Sequence, residues 1–155
     1  MAEHAIEHTT VDAPVDDCLA VVLDFERYPE WARALKEVTV ASRDDEGRPL
    51  EVQFRAAGFG HSTTYRLRYD YSGSPGRLSW TLVESDVCRK LDGYYDFRPA
   101  DGDPGRTEVD YLLEAELVVP LPAFIKRRTE LKIIHTALHD LRARIEQQAA
   151  GVEPS

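Results

Sequence analysis

The stretch 109–149, VDYLLEAELVVPLPAFIKRRTELKIIHTALHDLRARIEQQA, changes its hydrophobic period partway along, and that change decides the fold. Up to Leu117 the apolar residues alternate: Val109, Tyr111, Leu113, Ala115 and Leu117 fall on one side, Asp110, Leu112, Glu114 and Glu116 on the other. This is the pattern of a half-buried β-strand. Pro120 and Pro122 end it, because neither can donate to a sheet ladder. From Ala123 to Ala149 the period becomes 3.6. At about 100° per residue, Leu131, Ile134, Leu138, Leu141 and Ile145 share one narrow face, with His135 and Arg142 at its margin. Arg127 falls on the same stripe, so a bend or an exposed start is expected there.

Upstream of this stretch the alternating texture recurs. Val38 and Val40, then Leu50, Val52 and Phe54, then Thr63, Tyr65, Leu67, Tyr69 and Tyr71 each skip a polar or charged neighbour. Leu78, Trp80 and Leu82 follow, then Leu91, Gly93, Tyr95 and Phe97. The segments are separated by turn signals: Asp44-Asp45-Glu46-Gly47, Gly73-Ser74-Pro75-Gly76 and Asp101-Gly102-Asp103-Pro104-Gly105. His4–Ala13 reads as a first strand. Pro14 suits the first turn of a helix, where its missing N–H costs nothing, and Asp16 and Asp17 complement the helix dipole. A second short helix is expected over Pro29–Leu35, with Trp31 and Leu35 four apart.

The order is therefore strand, two short helices, about six strands, one long helix. A sheet with one apolar face must be covered, and the terminal helix is the element able to cover it. The sequence predicts an α+β domain over residues 1–150, a curved antiparallel sheet of six to seven strands around a long C-terminal helix. Residues 151–155 are expected to be a frayed tail.

The 155 residues, 43% hydrophobic and 30% charged, suit one globular domain. Cys18 and Cys88 make no disulfide framework in a chain of this length. No apolar run is long enough to span a bilayer, and MAEHAIEHTT is not a signal peptide, so a cytoplasmic location is expected. The net charge of −9 is uneven: residues 1–120 carry a local −11 and residues 121–150 a local +3. Such acidity argues against nucleic acid and anionic lipid as main partners. The basic C-terminal segment reads most simply as a solvated helix face.

The covered face is unusually aromatic: Phe54, Tyr65, Tyr69, Tyr71, Trp80, Tyr95, Phe97 and Tyr111. Strand propensity alone enriches such residues. Yet buried tyrosine hydroxyls need partners, and a concave apolar wall with a few polar tips is what a small-molecule site requires.

Read in order, several stretches carry a resemblance to a known family. They are Val11-Asp12-Ala13-Pro14, Asp24-Phe25-Glu26-Arg27-Tyr28-Pro29-Glu30-Trp31, Leu78-Ser79-Trp80-Thr81-Leu82, Leu91-Asp92-Gly93-Tyr94-Tyr95-Asp96-Phe97, and the helix Leu131 to Ile145. From residue 3 to about 148 the chain resembles the START-like (SRPBCC) superfamily with its helix-grip fold. Within it the match is to the bacterial polyketide cyclase/dehydrase and lipid-transport group, close to uncharacterised actinobacterial members. The resemblance implies a deep apolar cavity between sheet and helix, with Tyr28, Pro29 and Trp31 at its mouth and Tyr95 and Phe97 pointing inward. It also implies ligands such as lipids, isoprenoids, quinones or polyketides. A fold hosts many functions, so this is analogy.

The expected ligand wall joins Tyr28, Trp31, Phe54, Tyr65, Tyr69 and Trp80 with Tyr95, Phe97, Tyr111, Phe124, Leu131 and His135. Phe59, in Gly58-Phe59-Gly60, would sit on a flexible hairpin tip near the entrance; that motif precedes no helix and is not a phosphate loop. His135 and His139 lie four apart, but no third ligand accompanies them, so no metal and no cofactor is expected. Cys18 reads as core and Cys88 as a structural thiol, although Arg89 and Lys90 adjoin it. Asp86, Asp92, Asp96, Glu114 and Glu116 fall on turns or outward positions and form no catalytic pair.

Three readings remain open. The first is a carrier or sensor of a hydrophobic small molecule. The second is a polyketide aromatase/cyclase or dehydratase, with His135, Tyr95 or Tyr65 as acid or base and Tyr111 or Arg89 as further candidates. The third is a protein-interaction module with a filled core. Oligomeric state is not legible.

Overall fold

The computed structural model describes residues 3–58, 61–73, 76–118 and 122–151. Phe59, Ser74-Pro75, Pro120 and the tail beyond Gly151 lie outside the described residues.

Seven strands form one antiparallel sheet: β1 (Glu3–Val11), β2 (Leu35–Arg43), β3 (Pro49–Gly58), β4 (His61–Asp70), β5 (Arg77–Ser85), β6 (Cys88–Ala100) and β7 (Asp103–Leu117). Their order is β1-β7-β6-β5-β4-β3-β2, a meander from β2 to β7 with β1 added beside β7. Short turns suffice for every step of the meander, as the turn signals predict. At the first, Gly47 takes φ +81° while the Asp44 carboxylate accepts from the backbone N–H of Glu46 and Arg48. Register breaks in β2, β5 and β6 mark bulges, which bend a sheet.

Because β1 and β2 occupy opposite edges, residues 12–34 must cross the sheet. They do so as α1 (Val15–Val22) and a 3₁₀ helix (Phe25–Glu30). The crossing is pinned at its start: Thr107 Oγ1 donates to the Ala13 carbonyl at 2.7 Å, and Asp12 N–H to Glu146 Oε2 at 2.8 Å. Cys18, Val21 and Val22 of α1 are core residues.

The second helix lies earlier than the sequence predicts. It begins at Phe25 and contains Pro29, which cannot donate, so the run stays short and closes through Trp31 N–H to Tyr28 O. The 3₁₀ helix buries Phe25 and Tyr28 on one side.

The long helix α2 (Ala123–Ala149) has the predicted bounds. It packs on β1, β7 and α1, and its extensive contacts do not reach β3–β5. Ile134, Leu138, Leu141 and Ile145 are buried, as the stripe requires. Leu131 is not: it is 42% exposed, and Glu130, only 5% exposed, takes the inward place one turn before Ile134. The start of the helix is exposed, as Arg127 foretold.

Candidate functional site

The inner face of the sheet carries a continuous network of aromatic rings. Cross-strand register creates most of it, since Phe54 stands opposite Tyr65, Tyr69 opposite Trp80, and Tyr95 opposite Tyr111. Phe54 stacks on Tyr65 at 5.2 Å, and Trp80, Tyr95 and Tyr111 form a triangle with centroids 4.6–5.9 Å apart. Phe97 joins Tyr95 at 5.8 Å. The crossing segment closes the network over the sheet: Phe25 meets Tyr69 at 4.5 Å, Tyr28 meets Phe54 at 6.2 Å, and Trp31 meets Tyr28 at 4.9 Å. Such tilted geometries suit the ring quadrupoles.

The tyrosines differ in their partners. Tyr28 donates to the Val22 carbonyl, and Tyr95 and Tyr111 lie against each other with ring centroids 4.6 Å apart. Tyr65 and Tyr69 make no side-chain hydrogen bond among the described residues. Burial raises all five well above the usual phenol range, so each is a fixed neutral donor at physiological pH. Tyr71 is spent differently, donating to Pro49 O at 2.5 Å beneath Arg48.

Two carboxylates missed by sequence reasoning stand at the margins. Glu130 lies near Cys88, whose thiol burial pushes up to about 11 although Ser85 hydrogen-bonds it. That thiol stays protonated and is no nucleophile at neutral pH. Arg89 and Lys90 turn away from it to Glu116 and Glu114, so Arg89 does not reach the wall. Glu7, across from Tyr111 in register, raises that phenol further and faces His135 at 3.5 Å. A strand position that alternates with Ile6 was the available signal for Glu7.

The structure thus brings together Tyr28, Trp31, Phe54, Tyr65, Tyr69, Trp80, Tyr95, Phe97 and Tyr111. It leaves three expected members outside. Phe124 is 67% exposed, Leu131 is turned outward, and the His135 side chain is 73% exposed on the β1 side of α2. Phe124 and Leu131 share an exposed flank of the helix, and His135 meets the sheet only at Glu7 of β1. Phe59 lies outside the described residues. His139 is also exposed, beside Asp140, and among the described residues no group of three or more potential ligands is arranged around a metal position. A hollow of about 590 Å³ is lined by Arg48, Arg68, Asp70, Ser79 and Thr81 together with Tyr69, Tyr71 and Trp80 of the aromatic strands.

Two ion pairs tie the crossing segment to α2. Buried Arg144 donates from Nη2 to Glu30 Oε1 at 2.8 Å, and Arg33 Nη2 meets Asp140 Oδ1 at 2.9 Å. Arg144 holds Glu30 below its ordinary 4.5. Ser72 lowers Asp70, and at Asp44 and Asp110 hydrogen bonds and cations outweigh burial, leaving each below 3.8. A depressed carboxylate contributes stability above its unfolded pKa and loses it as pH falls through the folded one. The urea midpoint is therefore expected to hold between pH 7 and 5 and to fall below about pH 4.5. Glu30→Gln should flatten part of that fall; an acid profile unchanged in this variant would show that the Arg144 pair contributes nothing.

The comparisons with known proteins place this architecture. By structure the chain is similar to a START superfamily protein from Mycobacterium smegmatis (21% identity, TM-score 0.85, covering 94% of this chain and 98% of that one). It is similar to the Zhui aromatase/cyclase from Streptomyces sp. R1128 (16%, TM-score 0.80, covering 99% and 100%) and to a protein from Thermus thermophilus (17%, TM-score 0.75, covering 92% and 97%). At these identities the likeness establishes the fold. No curated protein matches the sequence. Among the described residues no helix is long and apolar enough to cross a membrane. The model of one family does match, over residues 11–142, which takes in the crossing segment, the aromatic strands and most of α2: the chain belongs to the polyketide cyclase / dehydrase and lipid transport family.

Proposed function

We propose that this protein binds a hydrophobic small molecule against the ring-lined inner wall of β3–β5, as a carrier or sensor. The observation that carries the reading is the pair of hydroxyls on Tyr65 and Tyr69, set in an apolar aromatic wall and hydrogen-bonded to no described side chain or backbone. An apolar wall supplies affinity through burial, and unspent donors supply orientation. The ligand is then an oxygen-bearing apolar compound of the lipid, isoprenoid, quinone or polyketide kind.

The test is mass spectrometry of organic extracts from the purified protein. A protein-dependent hydrophobic compound near one per chain is expected. With that compound in hand, Tyr65→Phe and Tyr69→Phe should each weaken binding about fivefold, the worth of one neutral hydrogen bond, without loss of stability. No compound, even after incubation with pooled lipids and quinones, would sink the reading and leave the filled-core interaction module. The close ring contacts from Phe25 through Tyr69 fit that module at one end of the interior.

A second reading, aromatase/cyclase or dehydratase chemistry, draws on the contact of Tyr95 with Tyr111 beside Glu7 and on the aromatase/cyclase among the fold neighbours. It ranks behind because phenols raised this far are weak acids and bases at neutral pH. Turnover of a poly-β-ketone surrogate that drops in Tyr95→Phe, with binding retained, would reverse the order.

A further inference from the structure

We infer that the first half of α2 is a peripheral docking face for bilayers containing anionic lipid. This is independent of whatever the interior binds. Phe124 and Leu131 are 67% and 42% exposed, and they lie seven residues apart, on one side of the helix two turns from each other. Arg128 sits between them on that same side, one turn from each, with Arg127 beside it and Lys132 next to Leu131. Lys126, Arg128 and Lys132 have no ion-pair partner among the described residues. An exposed apolar strip flanked by lysine and arginine is the pattern of a helix that lies in the headgroup layer.

The charge of the whole chain argues against anionic lipid only when averaged over the molecule. Screening limits such interactions to about 10 Å at 0.1 M salt. The local −11 resides in residues 1–120, whereas the cations named here meet the surface first. A protein partner fits the same strip poorly. Protein interfaces exclude charge, lysine above all, from their apolar centre, whereas here guanidinium groups stand beside and between the two apolar side chains. Phosphates above and acyl chains below satisfy both kinds of residue at once. Docking would also bring the Glu130 end of the interior, near Cys88 and Tyr65, toward the membrane.

The full-length protein is to be sedimented with vesicles of phosphatidylcholine alone and of phosphatidylcholine with about one-third phosphatidylglycerol, a mixture whose negative surface potential attracts basic segments. Expected is binding to the anionic vesicles alone, weakening steeply with salt. Arg128→Gln with Lys132→Gln should reduce it about twentyfold, near fivefold per cation. Phe124→Ala with Leu131→Ala should reduce it at least tenfold with the urea midpoint unchanged. No binding to anionic vesicles at low salt, equal binding to both vesicles, or indifference to both double variants would overturn the proposal. So would a dimer in sedimentation velocity that dissolves in Phe124→Ala/Leu131→Ala while vesicles go unbound, since the face would then join copies of this chain.

Discussion

Gly93→Ala is expected to destabilise the domain by about 3 kcal/mol or more, the upper range for forcing atoms into a filled site. Gly93 sits in the middle of β6, paired with Trp80 on one side and Leu113 on the other. A β-carbon there would come within 2.2 Å of the Leu112 carbonyl oxygen and 3.0 Å of the Trp80 ring. The oxygen belongs to the backbone of the neighbouring strand and cannot rotate aside. To admit a methyl group, β7 must shift against β6, and Tyr111, which closes the ring triangle with Trp80 and Tyr95, shifts with it. The indole itself lies over the glycine, an aromatic side chain covering the bare backbone of its cross-strand neighbour. Gly47→Ala is the control. Nothing lies within 4 Å of that position, but its φ of +81° disfavours a side chain, so a loss of only about 1 kcal/mol is expected. Urea unfolding of both variants decides the matter. A Gly93→Ala midpoint no lower than that of Gly47→Ala would mean that the sheet yields where the close approach says it cannot.

The sheet and the long helix were legible because each has a period that survives averaging. Alternation placed the five inward residues from Thr63 to Tyr71, four of them buried and Tyr65 half-buried, and all but one inward residue from Leu91 to Leu117 are buried too. The site was legible only where it lies on strands. On α2, Glu130 and Leu131 stand about equally far on either side of the stripe through Ile134, Leu138, Leu141 and Ile145, each roughly 50° from its centre at 100° per residue. Hydrophobicity chooses Leu131; the structure turns Glu130 inward and leaves Leu131 to solvent. A pattern of one helix records which residues share a face, and it cannot record where the opposing sheet curves away. The same blindness misplaced Phe124 and His135. Phe25 and Tyr28 were harder still. They sit on a six-residue 3₁₀ helix, too short for any period to emerge, and their role comes from the crossing that the edge positions of β1 and β2 impose.

That crossing segment carries the second large expectation: Phe25→Ala should cost about 3–5 kcal/mol, the range for truncating a fully buried phenylalanine. Phe25 is 1% exposed, and its ring touches Tyr28 on its own helix and Tyr69 on β4. It is the joint through which the cover is fastened to the sheet, and no neighbour can collapse into the space, because Tyr28 is held to the Val22 carbonyl. Tyr65→Ala removes a ring of similar size with a different expected result, a loss below about 2 kcal/mol, since truncating a half-buried side chain leaves a smaller cavity behind. Tyr65 is half-buried, stacks on Phe54 alone within the ring network, and keeps an unpartnered hydroxyl. The two values together measure how the interior is divided. A large gap between them means packed rings at the Phe25 end and receptive space at the Tyr65 end, the division a ligand site requires. Equal and large losses would mean that the rings fill the interior from end to end, and the wall would then be core.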